Sequence, residues 1–157
     1  MVFENFGEGL KKAFGKKKSN KKLAVFVDGP NILRKELQID LDDIKQALRE
    51  YGDIKIAKVF LNQYASDKLV EAVVNQGFES IITIGDVDVS MVADATECIF
   101  NPNIDSIAIV TRDADFLPVV VKAKRHGKDT IVVVGEESSA AALKNTADHV
   151  IILSKIK

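Results

Sequence analysis

An apolar run that ends in two carboxylates constrains the fold of this chain more than any other feature. Ile107–Val110 is apolar without alternation, which predicts a strand covered on both faces. The run stops at Thr111, and Asp113 and Asp115 follow before a helical pattern that tolerates Pro118 in its first turn. Such a junction lies at the carboxyl edge of a sheet, where open α/β folds place their binding sites. A simpler interpretation makes Asp115 a helix cap and Asp113 a solvated turn residue.

Two more apolar runs end in acidic residues. Leu23–Val27 is followed by an Asp-Gly-Pro-Asn sequence that begins at Asp28, and Ser80–Ile84 by an Asp-Val-Asp sequence that begins at Asp86. Because helical patterns separate the strands, the sequence predicts an α/β fold, a three-layer α/β/α sandwich with a mainly parallel central sheet. The other predicted elements are, in chain order, helix Leu41–Tyr51 capped by Asp40, strand Ile54–Leu61, helix Asp67–Asn75, helix Val89–Phe100, helix Leu117–His126, strand Thr130–Val134, a short helix to Lys144 capped by Ser138 or Ser139, and strand Val150–Leu153.

We predict that the first and fourth strands, Leu23–Val27 and Ile107–Val110, are adjacent and parallel in the middle of one sheet, which brings the acidic residues after these strands together. Asp28, Asp113 and Asp115 then face one crevice, and Asp88 reaches in from the helix after the third strand. Carboxylates so close together repel one another, and a hard divalent cation such as Mg²⁺ or Mn²⁺ removes that penalty. Such an ion can support phosphodiester cleavage. Asn31 suits orientation of a carboxylate, a water or a phosphate, or is a turn residue.

Charge is distributed unevenly along the chain. Residues 1–22 carry seven lysines and two glutamates, a net charge of +5, which leaves −6 on the remainder of a chain whose net charge is −1. We therefore expect a basic segment over residues 1–21 and one folded domain over 22–157, with local rather than uniform contacts to nucleic acid. Three interpretations of the segment stay open: a flexible tail, docking on the body or on a second subunit of a homodimer, or contact with RNA or lipid headgroups. Its apolar residues recur at helical spacing, at Phe3, Phe6, Leu10 and Phe14.

Several classes of protein are excluded by what the sequence lacks. Cys98 stands alone in an apolar stretch, so we expect a buried thiol and neither a disulfide framework nor a cysteine zinc cluster. His126 and His149 are isolated and are assigned no catalytic role. No nucleotide-binding glycine loop, nucleophile elbow, membrane-spanning run or secretory signal is present. We predict a cytoplasmic protein.

Three short motifs resemble the NYN domain family, a branch of the PIN-like nucleases that includes the LabA-like proteins. They are Phe26–Asn31, Val87–Val89 with Ala93-Asp94, and Thr111–Phe116, and the resemblance covers about residues 22–153. It implies a PIN-like sandwich and metal-dependent cleavage of RNA. The residues that match the family's metal-binding and catalytic acids are Asp28, Asp88, Asp113 and Asp115, with Asn31 as an orienting residue and Asp94 as a weaker metal ligand.

The middle and last motifs depart from the usual family pattern. Family members often carry a lysine and a glycine before the Val-Asp of the middle motif, where this chain has Gly85 and Asp86. Without that lysine the site lacks a cation that could bind the phosphate of a substrate, and Asp86 adds a negative charge. A glycine often precedes the first aspartate of the last motif, where this chain has Arg112. Arg112 is then a phosphate contact or a surface arginine, and with Thr111 it completes the predicted substrate-binding or orienting residues.

Two functions follow for this chain. The first is a ribonuclease that depends on Mg²⁺ or Mn²⁺. The second is a catalytically weak or inactive regulatory module that binds a metal with RNA or a nucleotide. A receiver-like phosphoacceptor is disfavoured, because Asp28 has no paired acid after the first strand and Gly135 follows the fifth strand in place of a lysine.

Overall fold

The computed structural model describes residues 19–33, 39–137 and 140–155. Within these residues six strands form one sheet, and every pair of neighbouring strands is parallel. The strands are β1 (Lys22–Asp28), β2 (Asp53–Asn62), β3 (Glu79–Thr83), β4 (Ser106–Val110), β5 (Asp129–Val134) and β6 (His149–Ile152). The helices are α1 (Gly29–Ile32), α2 (Leu41–Leu48), α3 (Asp67–Asn75), α4 (Asp88–Ile99), α5 (Leu117–Arg125) and α6 (Ala141–Thr146), with 3₁₀ turns at Arg49–Tyr51, Ala114–Phe116 and Leu153–Lys155.

The strand order places the predicted carboxylates at one point of the sheet. The order is β3-β2-β1-β4-β5-β6, so β1 and β4 are the two central strands and two further strands lie on each side of them. These two strands pair in parallel from Leu23 opposite Ser106 to Val27 opposite Val110. The prediction that the first and fourth strands are adjacent in the middle of one sheet is therefore confirmed. Their carboxyl ends form the switch point where ligands bind in open α/β sheets.

The central strands lack alternation because both of their faces are covered. Along β1, Ala24 and Phe26 belong to one buried cluster, and Leu23, Val25 and Val27 belong to another. The two clusters lie on opposite faces of the sheet, since successive side chains of a strand point to opposite sides. This confirms the three-layer α/β/α sandwich. Burial of each large apolar side chain contributes roughly 1.5–3 kcal/mol, so these strands hold the sheet edge in place.

Predicted element ends differ from the observed ones by a few residues. The α-helix predicted to Tyr51 ends at Leu48 and tightens into a 3₁₀ turn before Gly52, which has a φ of +145°. The Asp40 cap is confirmed, because its side chain accepts a hydrogen bond of 3.0 Å from the Asp42 backbone N–H. The predicted caps Ser138 and Ser139 lie outside the described residues, as do residues 1–18.

The last predicted strand is shifted by one residue and is observed as β6, while α4 begins one residue earlier than predicted. That early start makes Asp88 the first residue of α4. Cys98 is buried on the same helix, as predicted. The two histidines lie away from the carboxyl edge. His126 follows α5, and His149 contacts Asp129 at the start of β5 with 3.0 Å between Nε2 and Oδ2.

Candidate active site

Asp28 is a fully buried acid at the carboxyl end of β1. Its Oδ2 accepts hydrogen bonds from Asn31 Nδ2 at 2.7 Å and Thr111 Oγ1 at 3.0 Å. Its Oδ1 is also buried and has no hydrogen-bond partner among the described residues. Burial raises the pKa of Asp28 above its ordinary value, and the hydrogen bonds from Asn31 and Thr111 offset that rise only in part.

A tight turn brings Asn31 back over Asp28. The turn begins at Gly29, whose backbone lies so close to β2 that an added Cβ would clash with the carbonyl oxygen of Phe60. Pro30 then occupies the first turn of α1, where its missing N–H costs no hydrogen bond. The Asp-Gly-Pro-Asn sequence thus places an amide donor three residues after the acid that it contacts.

The loop after β4 is built by successive hydrogen bonds between its side chains and backbone. Thr111 Oγ1 accepts from the Asp113 backbone N–H at 3.1 Å, and Asp113 Oδ1 accepts from the Asp115 backbone N–H at 2.9 Å. Asp113 therefore caps the 3₁₀ turn Ala114–Phe116. The simpler interpretation of this loop, in which Asp115 is the helix cap, was therefore wrong on that point. Asp115 lies inside the turn and its side chain is exposed, which leaves its carboxylate available to a ligand.

Three of the four predicted acids come together. Asp88, Asp113 and Asp115 each offer a carboxylate oxygen, and these three oxygens lie within 4.8 Å of one another. Asp28 is outside this acidic triad, although its negative charge contributes to the raised pKa of Asp88. The structure thus gathers three exposed or half-buried acids in front of a fourth, buried one.

Burial and repulsion between carboxylates together raise the pKa of the acid at the start of α4. Burial is the largest cause that raises the pKa of Asp88 to about 7, and the negative charge of Asp86 is the next. Asp86 is exposed, and its Oδ1 accepts a hydrogen bond of 2.9 Å from the Asp88 backbone N–H. Asp113 and Asp28 add smaller contributions of the same sign. Near neutral pH a proton therefore competes for the Asp88 carboxylate.

Asp94, the weaker predicted ligand, does not join the acidic triad. It lies six residues after Asp88 on α4, where its Oδ2 forms an ion pair with Lys58 Nζ at 3.1 Å. The helical pattern of Val89–Phe100 predicts that Asp94 is exposed, but only 28% of its side chain is accessible beside Lys58 on β2. The ion pair engages the carboxylate on the side of the helix that faces the sheet.

The predicted orienting residues border an open cavity of about 320 Å³ beside the acids. Its lining residues are Asn31, Arg112, Asp113 and Ala114. Arg112 is exposed at this wall, whereas Thr111 is fully buried beneath it. A larger cavity of about 650 Å³ lies at the opposite edge of the sheet, where Lys21 and Asp129 line it and pair with each other at 3.0 Å.

The donor set fits a hard divalent cation. Three carboxylate oxygens within one small region are ligands that Mg²⁺ and Mn²⁺ prefer, and these ions complete their coordination with water and substrate phosphate. The orphaned Oδ1 of Asp28 points to the same conclusion, because buried polar atoms are normally satisfied by a protein group, a water or an ion.

Two contributors to this edge were not among the predicted site residues. Asp86 shapes the electrostatics of Asp88, and the signal for it was the Asp-x-Asp spacing after β3. Gln63 joins the loops after β2 and β3, because its Oε1 accepts a hydrogen bond of 2.8 Å from the Gly85 backbone N–H. No local pattern marks a lone glutamine for that contact, which depends on the pairing of the two strands.

The sequence profile of the NYN domain family matches residues 22–154, which is most of the chain. The chain belongs to the NYN domain family. NYN domains are PIN-like and are generally nucleases, and the acidic triad of this NYN domain lies at the sheet edge that its motifs predict. None of the described helices is long and apolar enough to cross a membrane.

This NYN domain is similar to other proteins both in sequence and in structure. It is 61% identical over 136 residues to the uncharacterized protein MJ0482 of Methanocaldococcus jannaschii, an alignment that covers 87% of this chain. The chain spans 57% of the length of that relative. The crystal structure of a protein of unknown function, VPA0982 from Vibrio parahaemolyticus, superimposes with a TM-score of 0.75 at 20% identity, covering 88% of this chain and 96% of that one. This similarity supports the α/β fold.

Proposed function

We propose that this NYN domain is a ribonuclease that depends on Mg²⁺ or Mn²⁺. The observation that carries the proposal is the convergence of carboxylate oxygens from Asp88, Asp113 and Asp115 within 4.8 Å at the switch point of the sheet. Exposed acidic residues are common on proteins without a metal, but these three lie at the carboxyl edge of a parallel sheet, with a buried fourth acid at the end of β1. The family membership supports nucleic acid as the substrate class.

Each residue of the site has a task that its geometry supports. Asp88, Asp113 and Asp115 would hold the cation, and the nearby Asp28 would add a fourth negative charge. A bound divalent cation neutralises phosphodiester charge and activates water for in-line displacement. Thr111 and Asn31 hold Asp28 in one orientation by the hydrogen bonds described above, so they are positioning residues. Arg112 supplies an exposed planar donor for phosphate at the wall of the cavity.

One observation favours the second candidate, a regulatory module that binds metal and RNA without appreciable turnover. Asp86 adds negative charge where family members often carry a cation, and it helps raise the pKa of Asp88 to about 7. A protonated Asp88 is a poor metal ligand. Without the cation that family members often carry, the site also attracts the phosphate of the substrate less strongly. Both effects would reduce cleavage more than they reduce binding to the rest of the site.

Cleavage of labelled RNA separates the two candidates. Single-stranded and structured RNA are incubated with the wild-type chain in Mn²⁺, in Mg²⁺ and in a chelator. If the chain is a ribonuclease, the wild type should form metal-dependent products that the Asp113→Asn variant does not form. Glu97→Gln is the matched control, since it removes the same charge from an exposed position of α4. Metal-dependent RNA binding with no products in any buffer would support the regulatory module.

A further inference from the structure

Basic residues are concentrated at the end of α5. Residues 117–128 contain three lysines, one arginine and no acidic residue, in a body whose net charge is −6. Two of these lysines have partners within the fold. Lys128 Nζ donates to two backbone carbonyl oxygens of the turn after α4, and Lys124 Nζ lies 3.6 Å from Asp148 Oδ1. Stabilisation of the fold therefore accounts for these two cations.

The other two cations form an exposed surface with two aromatic rings. Lys122 and Arg125 are exposed, and neither forms an ion pair with any residue that the structure describes. They lie three positions apart on α5, so their side chains are neighbours on one face of the helix. His126 Nδ1 donates to the Lys122 carbonyl oxygen at 2.9 Å, and Phe100, which is 59% exposed, contacts the His126 ring with 4.7 Å between centroids. We refer to Phe100, Lys122, Arg125 and His126 as the basic surface.

The basic surface lies at the amino edge of the sheet, opposite the acidic triad. Helix α5 begins after the loop with Asp113 and Asp115 and ends before β5, so its nine residues cross about 13 Å from one edge to the other. Helix α4 runs in the same direction, and Asp88 and Phe100 are about 18 Å apart along it. Both helices pack on the same face of the sheet. The metal-binding acids and the basic surface are thus at opposite ends of one face of the molecule.

The lysine-rich start of the chain joins the domain at this same edge. Asn20 and Lys21 line the cavity of about 650 Å³ together with Gly127 and Lys128, which directly follow the basic surface in the chain. The lysines at positions 16–18 precede Asn20 by only a few residues, so covalent connectivity keeps them within reach of the amino edge. The basic segment therefore adds positive charge beside the basic surface and not beside the acidic triad.

The chemistry of the basic surface favours nucleic acid. Lys122 and Arg125 are groups that bind phosphate, and the exposed ring of Phe100 is a surface on which a base can stack. Cations at the end of a helix also interact favourably with its dipole, but that interaction does not require an exposed aromatic ring beside them. An anionic membrane is attracted by the same charges, yet a single exposed ring offers little apolar surface to insert. A partner in a stable protein complex buries roughly 800 Å² on each side, more than four side chains provide.

We propose that the basic surface binds RNA without a metal ion and holds a strand whose other part reaches the acidic triad. The inference rests on the proposed function for RNA as the ligand and adds a second contact, remote from the metal-binding acids. Lys122 and Arg125 contact phosphates, and Phe100 stacks on a base. A strand that touches both sites follows the helices for about 13–18 Å, which takes roughly five nucleotides at 3.4 Å each.

RNA binding in the presence of a chelator tests the basic surface separately from the metal centre. The probe is a labelled oligouridylate of about twelve nucleotides, longer than the span between the two sites, and its fluorescence anisotropy is followed over a range of salt concentrations. Lys122→Gln combined with Arg125→Gln removes both exposed cations. The matched control, Lys68→Gln combined with Arg49→Gln, removes the same two charges from exposed positions on α3 and after α2, on the other face of the sheet.

We expect the wild type to bind the probe in chelator and the Lys122/Arg125 double variant to bind it on the order of tenfold more weakly. The log–log dependence of its affinity on salt should be flatter by about 1.4, because two phosphate contacts with a single strand are lost. Phe100→Ala should weaken binding on the order of tenfold without changing that slope, since stacking releases no counterions, and Phe100→Tyr should keep the affinity. The matched control should behave like the wild type.

Inorganic polyphosphate separates the two kinds of contact, because it has the charge of a nucleic acid backbone and no bases. It should lose affinity in the double variant and keep it in Phe100→Ala. A loss of polyphosphate binding in Phe100→Ala would refute stacking and show that the ring supports the shape of the surface instead.

Three results would overturn the proposal: no binding of RNA by the wild type in chelator, an unchanged salt dependence of the double variant, or equal losses in the double variant and the matched control. Binding to phosphatidylserine vesicles that the double variant loses, with its RNA affinity unchanged, would assign the surface to a membrane instead. Cleavage is scored separately. A chain that binds RNA through Lys122 and Arg125 and never cleaves it keeps the basic surface and refutes the ribonuclease, whereas metal-dependent cleavage with unchanged RNA binding of the double variant does the reverse.

Discussion

Thr111 donates a hydrogen bond of 3.0 Å to Asp28 across two neighbouring strands, although the two residues are 83 positions apart in the chain. The same hydroxyl oxygen accepts from the Asp113 backbone N–H. One buried side chain therefore links the acid at the end of β1 to the loop that carries two members of the acidic triad.

Removing that hydroxyl should destabilise the fold. Thr111→Val keeps the shape of the side chain but leaves a buried carboxylate oxygen and a backbone N–H each without this partner. We expect the free energy of unfolding to fall by about 1–3 kcal/mol, measured by urea denaturation of the metal-free protein. Thr111→Ser keeps the hydroxyl and should lose less. Equal stability of the valine and serine variants would show that the link does not hold the site together.

Replacing Asp113 by Asn should distinguish the contribution of metal binding to stability from the contribution of Asp113 to the metal-free fold. The asparagine Oδ1 still caps the Asp115 N–H, and one negative charge is removed from the triad. The metal-free variant should therefore match or exceed the wild type in melting temperature. For the wild type, Mn²⁺ at about a hundred times its Kd should add roughly 2.7 kcal/mol, and this increment should shrink in the variant. If millimolar Mn²⁺ shifts neither protein, there is no metal centre.

The stability of the metal-free protein should fall as pH rises through neutrality. The pKa of Asp88 is raised by burial and by Asp86 from 3.8 to about 7, so the folded state holds this proton more tightly than the unfolded state does. The resulting stabilisation is complete below pH 3.8 and is lost as pH approaches and passes 7. Asp28, whose pKa burial also raises, acts with the same sign. Melting temperatures between pH 5 and 8 measure the decline, and a flat profile would contradict it.

Asp86→Asn tests the cause of that decline. The amide oxygen can still accept from the Asp88 N–H, but the neighbouring charge is gone. We expect the fall in stability to move to lower pH and the affinity for Mn²⁺ at pH 6 to increase, because a proton competes less for Asp88. Glu71→Gln on the exposed surface of α3 removes an equal charge and should change neither quantity.

The basic segment should matter for binding and not for folding. Deleting residues 1–20 removes five lysines and two glutamates and leaves β1 intact. We expect an unchanged melting temperature and a flatter dependence of RNA affinity on salt, by about 0.7 in log–log slope for each lost phosphate contact with a single strand. An unchanged slope, together with a change in sedimentation on deletion, would favour docking on a second subunit.

The sequence predicted the elements whose signals are local. Leu23–Val27 and Ile107–Val110 are unbroken apolar runs, and a strand buried on both faces requires such a run wherever it occurs. Their adjacency was predicted from the acidic residues that follow both strands, since pairing over such a separation leaves no periodic trace. The NYN resemblance strengthened that prediction, because the acids match the motifs of one site.

Other details depend on contacts between distant segments. Asp113 and Asp115 are equally good caps by composition, and only the position of Thr111 in the folded loop selects Asp113. Asp94 has the spacing of a residue exposed on its helix, yet Lys58 reaches it from a strand 36 positions earlier. Apolar Ile84 resembles a core residue in the sequence, yet it is 90% exposed just beyond β3, the edge strand of the sheet.

The position of β1 in the middle of the sheet has a consequence during synthesis. The strand that carries Asp28 leaves the ribosome before its partner β4 and the loop with Asp113 and Asp115, which follow about 80 residues later. In the nascent domain, the central strand β1 therefore lacks β4, one of its two partner strands, until most of the chain has emerged. Over the same interval the acidic triad is incomplete, because Asp113 and Asp115 follow β4, so the candidate metal site forms only as synthesis of the domain nears its end.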